Sequence, residues 1–179
     1  MKVVGISPTH YYIRDMIRDK LGPDERVDTA IDLIKRWHID LVAWEKIGLG
    51  NDTYYLEERR KEEGLKFTIK EITSHAQAKN DRIRDILVPQ YAKGKWLWPK
   101  KGVLNYYSQY EGKTVDMVKE LELELLQFPN CKHDDMLDTQ TFLPQLEVTV
   151  EDHIVAEEPK YLTFGEYVRG REERIPKRS

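Results

Sequence analysis

A second cysteine is missing from this 179-residue chain, so Cys131 has no partner for an internal disulfide, a pattern that fits a reducing compartment. No apolar run approaches the roughly 18–20 residues needed to span a bilayer, and Met1-Lys2-Val3-Val4 does not read as a signal peptide. The expectation is a cytoplasmic protein with no membrane contact. A dominant charge is lacking too: 29 Lys and Arg against 32 Asp and Glu leave a net charge of −3. Any grip on nucleic acid must then come from local patches or through metal. There is no Gly-x-x-x-x-Gly-Lys-[Ser/Thr] loop, which excludes a P-loop nucleotide motor, and no Gly-x-Ser-x-Gly elbow to support serine hydrolysis. Repeats and low-complexity stretches are absent. What remains, at 40% apolar and 34% charged residues, reads as one soluble globular domain able to bury its own core.

Lys2-Val3-Val4-Gly5-Ile6, a Ser7-Pro8-Thr9-His10 turn and a β-prone stretch over 11–17 predict a hairpin. Gly22-Pro23-Asp24-Glu25 marks a helix start, with Val27, Ala30, Ile31, Ile34 and Trp37 as its buried stripe. Leu41-Val42-Ala43-Trp44, ending in Glu45, reads as a strand buried on both faces of a sheet. A helix over 52–63 closed by Gly64, an alternating strand from Leu65 through Phe67 and Ile69, and a helix over 79–91 follow. Lys95-Trp96-Leu97-Trp98 predicts a short strand, and 99–112 an aromatic loop in which Tyr106, Tyr107 and Tyr110 pack or stack on bases. Val115, Val118, Leu121 and Leu125 mark another helix. A hairpin followed by alternating helices and strands implies an α/β fold with a mixed sheet and helices on its faces. After Leu146 the pattern weakens, with a small strand at Val148 and Val150 and a basic, frayed stretch over 169–179.

The segment most suggestive of chemistry is His133-Asp134-Asp135-Met136-Leu137-Asp138, which sets three carboxylates within about one and a half helical turns. Asp134 and Asp135 are explicable as a helix N-cap and first turn; Asp138 is not. Asp138 shares a helix face with Asp134 or Asp135. If that helix crosses the end of the Glu45 strand, acids from two elements converge. All-oxygen ligands favour Mg²⁺ or Mn²⁺, the inventory for two-metal phosphodiester cleavage. Glu45 paired with Lys46 at a strand end is the plain alternative. Lys79 and Arg82 share a face and can hold a DNA phosphate, or be solvated surface. Of the five histidines (His10, His38, His75, His133, His153), only His133 adjoins the cluster, where it orients a carboxylate, contacts phosphate, or simply sits at the surface.

These residues carry a resemblance. From Val3 to Leu146 the chain resembles the carboxyl-terminal nuclease domain of tailed-bacteriophage large terminase subunits, an RNase H-like fold. The match rests on Tyr12-Ile13-Arg14-Asp15-Met16-Ile17-Arg18-Asp19-Lys20-Leu21 with Glu25-Arg26-Val27-Asp28, on Val42-Ala43-Trp44-Glu45-Lys46, and on Lys79-Asn80-Asp81-Arg82-Ile83-Arg84. Tyr110-Glu111-Gly112, Phe128-Pro129 and the acidic segment complete it. The resemblance implies a prophage or phage enzyme acting in the host cytoplasm, which cuts double-stranded DNA with Mg²⁺ or Mn²⁺. Catalytic residues would be Glu45, Asp135 and Asp138, with Asp134 a further metal ligand and Lys79, Arg82 and His133 at the DNA. Its partners would be a terminase ATPase domain, the small terminase subunit and the portal. Thr139 departs from the family's alanine after the last Asp and tightens packing there. On this reading 1–146 form a partial nuclease domain and 147–179 a partly flexible extension.

In that family a first strand bearing the first catalytic Asp precedes the hairpin and lies at the centre of the sheet. Here Met1 falls at the second strand. Three outcomes are open: a shortened reading frame, a strand supplied by a second polypeptide, or a hairpin that slides over to pair with the Glu45 strand. Without the strand, weak or no cutting is expected. The rival readings are a non-catalytic DNA- or partner-binding module of a packaging assembly, and a Holliday-junction resolvase.

Overall fold

The computed structural model describes residues 1–46, 51–73, 78–146, 148 and 161–166. Lys2–Ile6 (β1) and Tyr11–Met16 (β2) form the expected antiparallel hairpin, with an irregularity between Val3 and Val4. Trp96–Trp98 (β5) pairs parallel with β2, and Leu162–Thr163 (β8) pairs antiparallel with β5. This gives a mixed sheet in the order β1-β2-β5-β8. Leu41–Glu45 (β3) and Thr68–Ile72 (β4) make a separate parallel pair. Asn105–Ser108 (β6) and Lys113–Asp116 (β7) form a third, two-stranded sheet.

Helix α1 (Pro23–Trp37) begins as its sequence dictates. Pro23 takes the first position, and the Glu25 side chain accepts a bond from the Gly22 N–H at 2.8 Å. Its buried face is Val27, Ala30, Ile31, Leu33 and Ile34. Trp37 departs from the expected stripe: it is exposed, and its indole N–H donates to Asp15 at 3.0 Å. Helix α2 (Asp52–Glu62) follows β3, and Gly64, at φ 64°, adopts the left-handed turn that ends it. The stretch 79–92 is helical throughout, as Lys79–Arg82 (α3), a π turn over Ile83–Leu87, and Val88–Ala92 (α4). Met117–Gln127 forms α5, and Asp135–Asp138 a single turn, α6, that continues as a 3-10 helix over Thr139–Leu146.

Several expectations are corrected. The strand after Gly64 starts at Thr68, not Leu65. The aromatic loop contains β6, and Val115 lies in β7, because Asp116 caps α5 by accepting from the N–H groups of Val118 and Lys119. The acidic helix is one α turn, not a full element. Val150, His75, His153 and 169–179 lie outside the described residues. No helix among the described residues is long and apolar enough to cross a membrane.

Two hydrophobic cores result. One joins Ile13, Met16, Ile83, Leu87, Trp96, Trp98, Met117, Val118, Leu121, Met136 and Leu137 beneath the four-stranded sheet. The other joins Val27, Ala30, Ile31, Ile34, Leu56 and Phe67, with Val42, Trp44 and Ile69 packed on it. β3 was expected to be buried on both faces, but every residue in it is only half-buried. The reason is its position: among the described residues it pairs on one edge only.

Candidate functional site

The acidic segment is seated by a carboxylate from elsewhere. Asp134 occupies the N-cap position of α6 yet makes no side-chain cap bond. Glu124, reaching over from α5, accepts from the N–H groups of Met136 at 3.0 Å and Leu137 at 3.2 Å. Glu124 is buried and also pairs with Arg18 at 3.1 Å. Burial pushes its pKa above the ordinary carboxylate value, against the opposing pull of the Leu137 N–H, Lys2 and Arg18. Lys2 arrives from β1 and donates to the Met136 carbonyl at 2.7 Å. Its burial drives the ammonium pKa down to about 7, with Glu124 pulling the other way. Thr139 donates to the same carbonyl at 3.0 Å, which ties the turn to the residue after it.

Each aspartate of the segment already has a cation. Asp138 is buried, and Arg82 reaches it through Nη2 to both carboxylate oxygens (2.6 and 2.8 Å) and through Nε at 3.0 Å. Thr141 backs the pair, donating to the Asp138 carbonyl at 2.6 Å. Lys79 sits between Asp134 at 2.6 Å and Asp135 at 2.7 Å. Burial alone would lower the Lys79 pKa, but hydrogen bonds to those two aspartates outweigh it and raise it. Arg82 is therefore not the solvent-facing phosphate contact that its spacing suggested: it is 6% exposed and committed to Asp138. Lys79 is half-buried and His133 is exposed.

Glu45 closes β3 on a cleft of about 890 Å³ between β1 and β3, which Thr139 also lines. The structure brings Asp134, Asp135 and Asp138 together around α6 but does not add Glu45 to them. Among the described residues no group of three His, Cys, Asp or Glu side chains is placed to hold a metal ion. The charge of Asp134 and Asp135 is met by Lys79, and that of Asp138 by Arg82. The tyrosines divide. Tyr106 packs and bonds Asp19 at 3.2 Å, while Tyr107 and Tyr110 are exposed, the latter beneath the Lys20 ammonium at 4.1 Å.

Sequence reasoning missed Glu124. Its signal was a carboxylate at position 124, three residues after Leu121 and beside Leu125 on the apolar stripe of α5.

No family model, curated protein or solved structure matches this chain.

Proposed function

We propose that the chain is an RNase H-like nuclease domain of the kind that cuts double-stranded DNA for phage packaging, in a form whose acidic site is not assembled. One observation carries this reading: Glu45 and Thr139, the residue directly after Asp138, come from distant stretches and line one cleft. The order of hairpin, helix, strand, helix, strand agrees with it. Glu45, Asp135 and Asp138, with Asp134, are the residues that would hold Mg²⁺ or Mn²⁺ once Lys79 and Arg82 give way. Such ions, if held there, would supply activation of water and stabilisation of the leaving oxygen. The DNA, the terminase ATPase domain, the small subunit and the portal are the partners this reading assigns.

A second reading has its own support. The buried Arg82–Asp138 pair engages both oxygens of Asp138, as suits a non-catalytic module that binds DNA or a packaging partner. Supercoiled plasmid incubated with the protein and Mn²⁺ or Mg²⁺ separates the two. The nuclease reading expects weak, metal-dependent nicking that Glu45→Ala abolishes. Salt-sensitive DNA binding that ignores metal and survives Glu45→Ala, with no cutting, overturns it in favour of the module. A preference for four-way junctions over duplex would point instead to a resolvase.

A further inference from the structure

β1 and β3 each end a sheet among the described residues, and both line the same cleft along their entire length. About half of a strand's N–H and C=O groups point towards each neighbour. Two unpaired edges facing one space therefore present two rows of donors and acceptors, each group costing about 1–3 kcal/mol if buried without a partner. The cleft is also roofed on both sides. Val42, Trp44 and Ile69 face α1 in the second core. Lys70, on the alternate face, donates to the Gln145 carbonyl at 2.6 Å, so the stretch from Thr139 to Leu146 covers that side. Ala30, Leu33, Phe142 and Leu143 add apolar wall. The space is thus bounded as a strand is bounded in the middle of a sheet.

We propose that this cleft is an acceptor site for one β-strand of a second polypeptide, an extended segment that joins the two sheets into one. β1 and β3 are five residues each, which sets the length of the segment. Cover on both faces requires a continuous apolar run instead of an alternating one. The stretches of this sequence outside the described residues contain no such run of five, so the donor is not one of them. Charge adds a further requirement. Arg14 lines the cleft beside Gly5, where a Cβ would lie 3.3 Å from its Nε. Its guanidinium meets only the rings of Tyr12 and Tyr161 and no carboxylate among the described residues. The donor strand supplies that carboxylate from one end of its run. Of the other cationic groups lining the cleft, Arg26 and Lys46 pair with Asp52 and Glu71, Lys2 donates to the Met136 carbonyl and the Met1 amino group to the Ile17 carbonyl. The proposal holds whether or not the completed sheet cuts DNA.

The probe is a fluorescein-labelled peptide with a Val-Ile-Val-Ile run, Asp at either end of it, and Ser-Gly flanks, read by anisotropy against the full chain. One of the Asp peptides is expected to bind about tenfold or more tightly than its Lys counterpart. Arg14→Glu should reverse that preference; if this variant fails to fold, Arg14→Gln should erase it. Amide hydrogen exchange should slow in β1 and β3 together on binding. Equal binding by a peptide with Pro at the centre of the run would show an apolar pocket in place of strand pairing, and overturn the proposal. So would protection of only one of the two strands, no binding by any of the peptides, or a concentration-dependent dimer that already protects both edges.

Discussion

Arg82 and Asp138 lie 56 positions apart in sequence, yet they form a buried ion pair in which one guanidinium nitrogen contacts both carboxylate oxygens. Removing one partner of such a pair leaves a charge stranded without solvent. Arg82→Ala should therefore cost about 3–5 kcal/mol, read as a lower urea midpoint at unchanged slope. Asp138→Asn should cost less, because the amide oxygen still accepts from Arg82. If Arg82→Ala unfolds at the wild-type midpoint, the pair is not formed in solution.

Glu124 fixes the acidic turn from outside, and its two roles can be separated. Glu124→Ala removes the acceptor for two backbone N–H groups and the partner of Arg18 together, an expected loss of about 3 kcal/mol or more. Glu124→Gln keeps an acceptor for Met136 and Leu137 and should recover part of it. Thermal melts of the two variants side by side give the split; equal losses would mean the cap bonds contribute little.

Lys2 makes stability depend on pH. Its pKa in the folded chain is about 7 against an ordinary 10.5, so between those values the unfolded chain binds more protons than the folded one. Stability then rises with pH across that window, by up to about 1.4 kcal/mol per unit. The amino group of Met1, lowered to about 6 from 8.0 chiefly by burial, adds the same sign of slope between pH 6 and 8. Urea unfolding at pH 7, 8, 9 and 10 should show the rise, and Lys2→Met should flatten it. A wild-type curve that falls or stays level from pH 7 to 9 would contradict the burial of this ammonium.

Leu137 tests how the acidic turn is anchored. It is fully buried in the core beneath the larger sheet, on the turn that runs from Asp135 to Asp138. Leu137→Ala should lose about 2–5 kcal/mol, measured by denaturant titration, with the far-ultraviolet signal of the folded state unchanged.

The elements written in local signals were legible. Pro23 with Glu25 announces α1, and the β1–β2 hairpin follows from alternation broken by Ser7-Pro8. The β6–β7 hairpin was not, because its four-residue strands expose Asn105 and Tyr107 and so lack an apolar alternation to betray them. Val115 sits three residues before Val118 and imitates helical spacing, but Asp116 between them is the cap. At the acidic segment, sequence spacing correctly placed the aspartates on one turn. It could not foresee that Lys79 and Arg82 would arrive from 56 residues upstream to neutralise them, since that contact belongs to tertiary packing.

The two-residue strand β8 makes Leu162 and Thr163 part of the first sheet. Leu162 and Thr163 run alongside Trp98 and Leu97, and the Phe164 ring lies against Trp98 and Tyr91 at centroid distances of 5.3 and 5.9 Å. Shortening the polypeptide at Leu146 would uncover the indole of Trp98 and leave the outer edge of β5 as a sticky border. A trimmed version should clump before it melts, so residues 162–164 act less as an appendage than as a lid sewn onto the first sheet.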